Sequence, residues 1–134
     1  MAEMLGLKNC FFHGHVEEVV EIWRQNHLLV LTSRYEGLPL VIIEAMMCGR
    51  PCLVTDVAGN AELLEDGVSG FVAAGPTVKS VAAALERAWQ ERAKWPQMGR
   101  AAAAAVREQF PADPVAEFTE RLLKLAARNR PPAH

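Results

Sequence analysis

The chain has 134 residues, 51% of them hydrophobic and 22% charged, with 14 Lys and Arg set against 16 Asp and Glu for a net charge of −2. That length suits one domain with one apolar core and argues against two. Lys and Arg are scattered through the later part of the chain rather than grouped, so there is no basic footprint and nucleic-acid binding is not expected.

Apolar runs and helical periods alternate along the first half. "NCFFHG" predicts a short strand ending at Gly14, and "VEEVVEIWRQN" a helix with Val16, Val19, Val20 and Trp23 at helical spacing. "HLLVLTS" is a continuous apolar run followed by turn residues, the pattern of a strand covered on both faces. A helix containing Glu44 follows, with Gly49 at its C-terminal end and Pro51 just beyond. "CLVTD" predicts the next strand, Asn60 a cap for a short helix through "AELLED" that stops at Gly67, and "GFVAA" a last strand. This order implies a parallel α/β sheet of about four short strands with crossover helices.

From Thr77 onward the pattern is helical. Thr77 suits an N-cap for a helix whose Val78, Val81, Leu85, Ala88 and Trp89 lie on one face, and Pro96 interrupts before a second helix through the alanines 101–105. Pro111 and Pro114 break that one, and a third puts Val115, Phe118, Leu122 and Leu125 along one side. Residues 1–128 thus form a single domain, and "RNRPPAH" supplies a tail over 129–134.

The small chemistry-bearing residues narrow the function. Cys10, Cys48 and Cys52 are an odd number in a chain of ordinary composition, which fits reduced thiols rather than a disulfide framework. Cys48 and Cys52 have no second pair to complete a tetrahedral site, and His13 and His15, alternating at a strand end, fit a solvated or base-stacking role better than a metal site. No metal is expected. No apolar run approaches the roughly 20 residues that span a bilayer, and "MAEMLGLKN" lacks the order of a signal peptide, so a cytoplasmic location is expected.

The stretch "SRYEGLPLVIIEAMMCGRP" contains Glu36 and Glu44 with seven residues between them, set among apolar side chains. A charged group in such surroundings loses hydration unless something compensates it. Pro39 suits the first turn of a helix, which puts Glu36 in the loop before it and Glu44 roughly 8 Å along its axis. Between the two carboxylates lies the positive end of the helix dipole, with backbone N–H groups around Gly37, Leu38, Leu40 and Val41 at the C-terminal edge of a parallel strand. A phosphate suits that place. It would leave Glu44 positioned for the two vicinal hydroxyls of a ribose and Glu36 for a group at the other end.

The segment resembles the E-x7-E motif of family 4 retaining glycosyltransferases of the GT-B fold, whose two domains are Rossmann-like. S-x-x-E-G-x-P precedes it, E-A-M follows it, and the Gly59 turn comes at the next strand. The similarity runs from about Leu5 to Leu125 and covers the C-terminal, donor-binding domain. The resemblance implies transfer of a sugar from a nucleotide-diphosphate-sugar to an acceptor with retention and no cofactor. By it, Glu44 binds the ribose hydroxyls, Glu36 contacts the donor sugar, amides after Glu36 hold the sugar and distal phosphate, and His15 and Val16 meet the nucleobase.

The family's first strands, its Gly-Arg turn and its Lys have no match in this chain, nor has the N-terminal domain that binds the acceptor, a sugar or a lipid. The chain is therefore expected to be a piece of an enzyme that is inactive alone, cytoplasmic or peripheral at the inner face of the membrane. In the usual strand order 3-2-1-4-5-6 the loss of the first two strands leaves "CFFH" beside a gap and "LLVLT" with a bare edge. Either "CFFH" pairs with "LLVLT", or a second copy covers the edge in a homodimer.

Other readings exist for each feature. Glu44 could serve a structural Arg, Glu36 the helix dipole alone, and Glu62 a local cap. A truncated relative that binds a nucleotide or a protein without catalysis is the main alternative to a transferase. A nucleotide-sugar epimerase of similar fold is a third, but its catalytic groups would come from segments this chain lacks.

Overall fold

Three parallel strands make the sheet in the order β1 (Leu29–Leu31), β2 (Cys52–Thr55), β3 (Gly70–Ala73). The computed structural model describes residues 6–37 and 39–128; residues 1–5, Leu38 and the expected tail at 129–134 lie outside the described residues. Helix α1 (Val19–Gln25) precedes β1, and α2 (Leu40–Met47) links β1 to β2. After β3 come α3 (Val78–Gln90), one 3-10 turn, α4 (Trp95–Gln109) and α5 (Pro114–Arg128).

β2 is central, and all four of its residues are buried. Side chains alternate across a strand, so Cys52 and Val54 enter one core with Trp23, Ile42 and Met46, joined by Ala102 and Val106 of α4. Leu53 enters the other, with Phe71 and Ala73 of β3 and Ala84 and Ala88 of α3. Helices thus cover both faces of β2, whereas β1, expected from "HLLVLTS" to be covered on both faces, is an edge strand and leaves Val30 44% exposed. Thr77 caps α3 through its Oγ1, which accepts from Ser80 N at 3.2 Å.

Several expectations change. The sheet has three strands, not four: residues 10–13 adopt no strand, and Phe11 and Phe12 are 76% and 85% exposed. They do not move across to β1, whose outer edge pairs with no strand among the described residues. With no neighbouring strand to complete its hydrogen bonds, an extended segment has nothing to hold it in a ladder.

The segment 60–65 forms turns rather than a helix, with Asn60 N bonding Val57 O and Glu62 N bonding Gly59 O. Its would-be cap is used elsewhere, because the Asn60 side chain donates back to Thr55 O. Pro39 is the N-cap of α2, one residue before the helix, and Pro96 sits inside the first turn of α4 rather than ahead of it. Both positions tolerate a missing N–H. Within α1, Trp23 is buried while Val20 is half exposed.

Candidate functional site

The loop from β1 to α2 opens at the C-terminal end of the parallel sheet, where the strands stop and the chain turns into α2. The last β1–β2 pair is Leu31 with Val54. Beyond it, side chains take over from the backbone ladder. Thr55 Oγ1 donates to Ser33 O at 2.6 Å, and Ser33 Oγ donates to Glu36 Oε1 at 2.5 Å. Glu36 is half-buried and held by this bond.

Glu44 stands differently. Ile42, Ala45 and Met46 form the buried face of α2, and Leu40, Glu44 and Met47 recur along the solvent face. The carboxylate is therefore hydrated, and the compensating partner expected for it is unnecessary. Among the described residues it enters no ion pair or side-chain hydrogen bond. Sequence neighbours misled here because a helix turns about 100° per residue and separates Glu44 from the apolar side chains on either side of it.

The start of α2 is open. Gly37 is exposed, and a side chain built there would meet nothing within 4 Å. Ile42 N is already bonded to Pro39 O, but the amides of Leu40 and Val41 come too early in the helix for an intrahelical acceptor. Leu40 is 67% exposed, Val41 is half-buried, and Leu38 lies outside the described residues. Among the described residues no acceptor meets the amides of Leu40 and Val41, which lie at the positive end of a helix dipole between one anchored and one solvated carboxylate.

Gly14 makes a left-handed turn at φ 65°, and His15 after it is exposed. His13 and Val16 line a hollow of about 170 Å³ whose other walls, including Glu21 and Gln25, belong to α1 and Asn26 just after it. None of those walls comes from the β1–α2 loop, and His15 is not among them. Among the described residues no three His, Cys, Asp or Glu side chains gather to hold a metal ion. No helix among them is long and apolar enough to cross a membrane.

Two residues behind the loop gave no sign of that place in the sequence, where Asn60 suggested only a helix cap. Thr55 ends a hydrophobic strand and is fully buried, and Asn60 is fully buried with its Oδ1 unpartnered. A buried hydroxyl at the end of "CLVT" announces a hydrogen bond but not its partner.

A family model described as glycosyl transferases group 1 matches residues 1–105. Among curated proteins, the chain is similar to the N-acetyl-alpha-D-glucosaminyl L-malate synthase of Bacillus anthracis, 30% identical over 111 residues, with 83% of this chain and 29% of that protein covered. It is 44% identical over 72 residues to the Vi polysaccharide biosynthesis protein VipC/TviE of Salmonella typhi, covering 53% of this chain and 12% of that protein. Among solved structures, Anabaena Alr3699/HepE in complex with UDP matches at TM-score 0.79 and 26% identity over 94% of this chain and 35% of that one. The sucrose-phosphate synthase from Thermosynechococcus elongatus matches at TM-score 0.84 and 22% identity, over 96% of this chain and 33% of that one, and bears on the fold alone. The chain spans between 12% and 35% of the length of these proteins. With its parallel sheet, its helices and the family match all in agreement, the chain belongs to the group 1 glycosyltransferases and has an α/β fold of the GT-B type.

Proposed function

We propose that the β1–α2 loop and the first turns of α2 bind a nucleotide-diphosphate-sugar in a retaining transferase of the E-x7-E, family 4 type. The observation that carries this is the open start of α2, with Glu36 fastened by Ser33 on one side and Glu44 exposed on the other. Glu44 accepts from the two ribose hydroxyls, and Glu36 from the sugar. The amides of Gly37, Leu38, Leu40 and Val41 hold the sugar and distal phosphate, and His15 and Val16 approach the base. Further support comes from the Anabaena relative, solved in complex with UDP and with UDP-glucose.

In the transfer, the acceptor attacks the anomeric carbon on the face from which the phosphate departs. The bond from that carbon to the phosphate oxygen breaks, the departing phosphate takes the acceptor's proton, and configuration is retained. No carboxylate serves as nucleophile, and no metal or other cofactor is required. The positive end of α2 stabilises the charge that grows on the leaving phosphate. The acceptor, a sugar or a lipid, is held by a domain outside this chain, in the cytoplasm or at the inner face of the membrane. The open edge of β1 supports pairing with a second copy, which sedimentation would reveal as a dimer.

A charged hydrogen bond contributes about 1.5–3 kcal/mol and a helix dipole about 0.3–1 kcal/mol at an exposed site. Together they amount to millimolar affinity for the donor at best. Titrating the labelled chain with UDP-glucose and other nucleotide-sugars by NMR tests the reading. Shifts should concentrate at Gly37, Leu40 and Val41 with a Kd in the millimolar range or weaker, and Glu44→Ala should weaken binding by about tenfold. Unchanged affinity in Glu44→Ala, or shifts confined to other elements, would overturn it.

A further inference from the structure

The Glu36 loop is not free to choose its position. Thr55, the last residue of β2, is fully buried and reaches across the sheet end to Ser33 O at 2.6 Å, two residues past the final β1–β2 backbone pair. The same Thr55 is fixed from behind: its carbonyl accepts from Val57 N at 2.9 Å and from Asn60 Nδ2 at 3.3 Å. Asn60 is itself fully buried, and the turn between them includes Ala58 at φ 48°, a left-handed conformation uncommon for a residue with a side chain. Ser33, tethered by its carbonyl, directs its hydroxyl to Glu36 Oε1.

From this chain of contacts we infer that Thr55, clamped by Asn60 and acting through Ser33, is a positioning residue that sets where the Glu36 carboxylate stands when the donor binds. The inference rests on the donor reading given above. It assigns a role in the site to a side chain on a different strand, buried in the core and out of reach of the ligand. The physical reason is geometric. β1 has only three residues, so its ladder ends before the loop begins, and a side-chain hydroxyl from the longer β2 extends the grip to the loop. A β-branched residue suits the strand, and only Thr among the β-branched residues carries a donor.

The test uses the intact chain in four forms. Thr55→Val keeps the shape and removes the donor, leaving Ser33 O unpaired, and Thr55→Ser restores the hydroxyl. Ser33→Ala cuts the last link, and Glu44→Ala reports on the donor site independently. Thr55→Val and Ser33→Ala should each weaken UDP-glucose binding by about fivefold to tenfold, and Thr55→Ser should recover most of it. Hydrogen exchange at the amides of residues 33–37 should quicken in Thr55→Val while those of β2 and β3 keep their protection. That second readout needs no ligand. If no form, including the unaltered chain, bound UDP-glucose, the donor reading would fail, and the exchange pattern would still decide whether Thr55 holds the loop. Unchanged loop exchange in Thr55→Val, or binding that Thr55→Ser fails to recover, would overturn the inference.

Discussion

Gly99 of α4 lies against Gly49 at the end of α2, so close that a Cβ on Gly99 would come within 1.9 Å of the Gly49 carbonyl oxygen. The obstacle is backbone, which cannot rotate aside. Gly49 adopts φ 70° and turns the chain back, with its N–H bonded to Met46 O and the N–H of Arg50 to Ala45 O. The end of the helix that carries Glu44 is thereby seated backbone to backbone on α4. Gly99→Ala should destabilise the chain by about 1–3 kcal/mol, although alanine is the better helix former. Urea denaturation measures it, and a gain in stability would mean that the two helices part without loss.

Ala58 presents the opposite case. Its φ of 48° is conformationally expensive for any residue with a Cβ and ordinary for glycine. Ala58→Gly should stabilise by roughly 0.5–1 kcal/mol, since relief of about 1–2 kcal/mol is partly offset by the greater freedom of glycine in the unfolded chain. A rise in Tm checks it, and a fall would show that the Ala58 methyl group contributes packing.

Asp66 and Arg87 join the β2–β3 connection to α3 by two hydrogen bonds, 2.7 and 2.6 Å, and Asp66 Oδ1 also accepts from Val72 N at 2.7 Å. Partial burial alone would raise the Asp66 carboxyl, but Arg87 and the Val72 amide outweigh it and hold the group below its usual 3.8. A carboxyl depressed on folding stabilises the native state above its ordinary value and loses that contribution as pH falls through the folded one. Both side chains are more than a third exposed, so the coupling should be about 1 kcal/mol or less. A double-mutant cycle with Asp66→Asn and Arg87→Gln at pH 7 should find it, and the coupling should shrink below about pH 3.8.

The cysteines should separate sharply by reactivity. Burial pushes the Cys52 thiol up to about 12, and Cys10 is exposed. Only thiolate reacts. Iodoacetamide at pH 8 should label Cys10 in the folded chain and reach Cys52 only after denaturation, as peptide mass spectrometry would show. Early labelling of Cys52 would mean that β2 opens far more often than its burial implies.

Helix α5 should be nearly indifferent to its own apolar stripe. Phe118 and Leu122 are 62% and 50% exposed, and α5 has no buried residue. Leu122→Glu should shift stability by no more than about 0.5 kcal/mol. Val106→Ala in the α4 core should cost at least about 1 kcal/mol. Equal losses in the two variants would show that α5 is packed in solution.

What could be read from the amino acids alone was whatever neighbours in the chain decide. The Thr77 cap, the Gly49 helix end, the runs that became β1, β2 and β3, and the loop position of Glu36 against the helical position of Glu44 all follow from backbone preferences over a few residues. Only the assembled structure decided burial and partnership. It left Phe11 and Phe12 outside the sheet, turned Glu44 to water, drew Asn60 away from capping and tied Ser33 to Thr55, 22 residues away. Local preferences act through dihedral angles and nearby hydrogen bonds. The environment of a side chain depends on which distant surfaces meet it, and a one-dimensional pattern does not contain that.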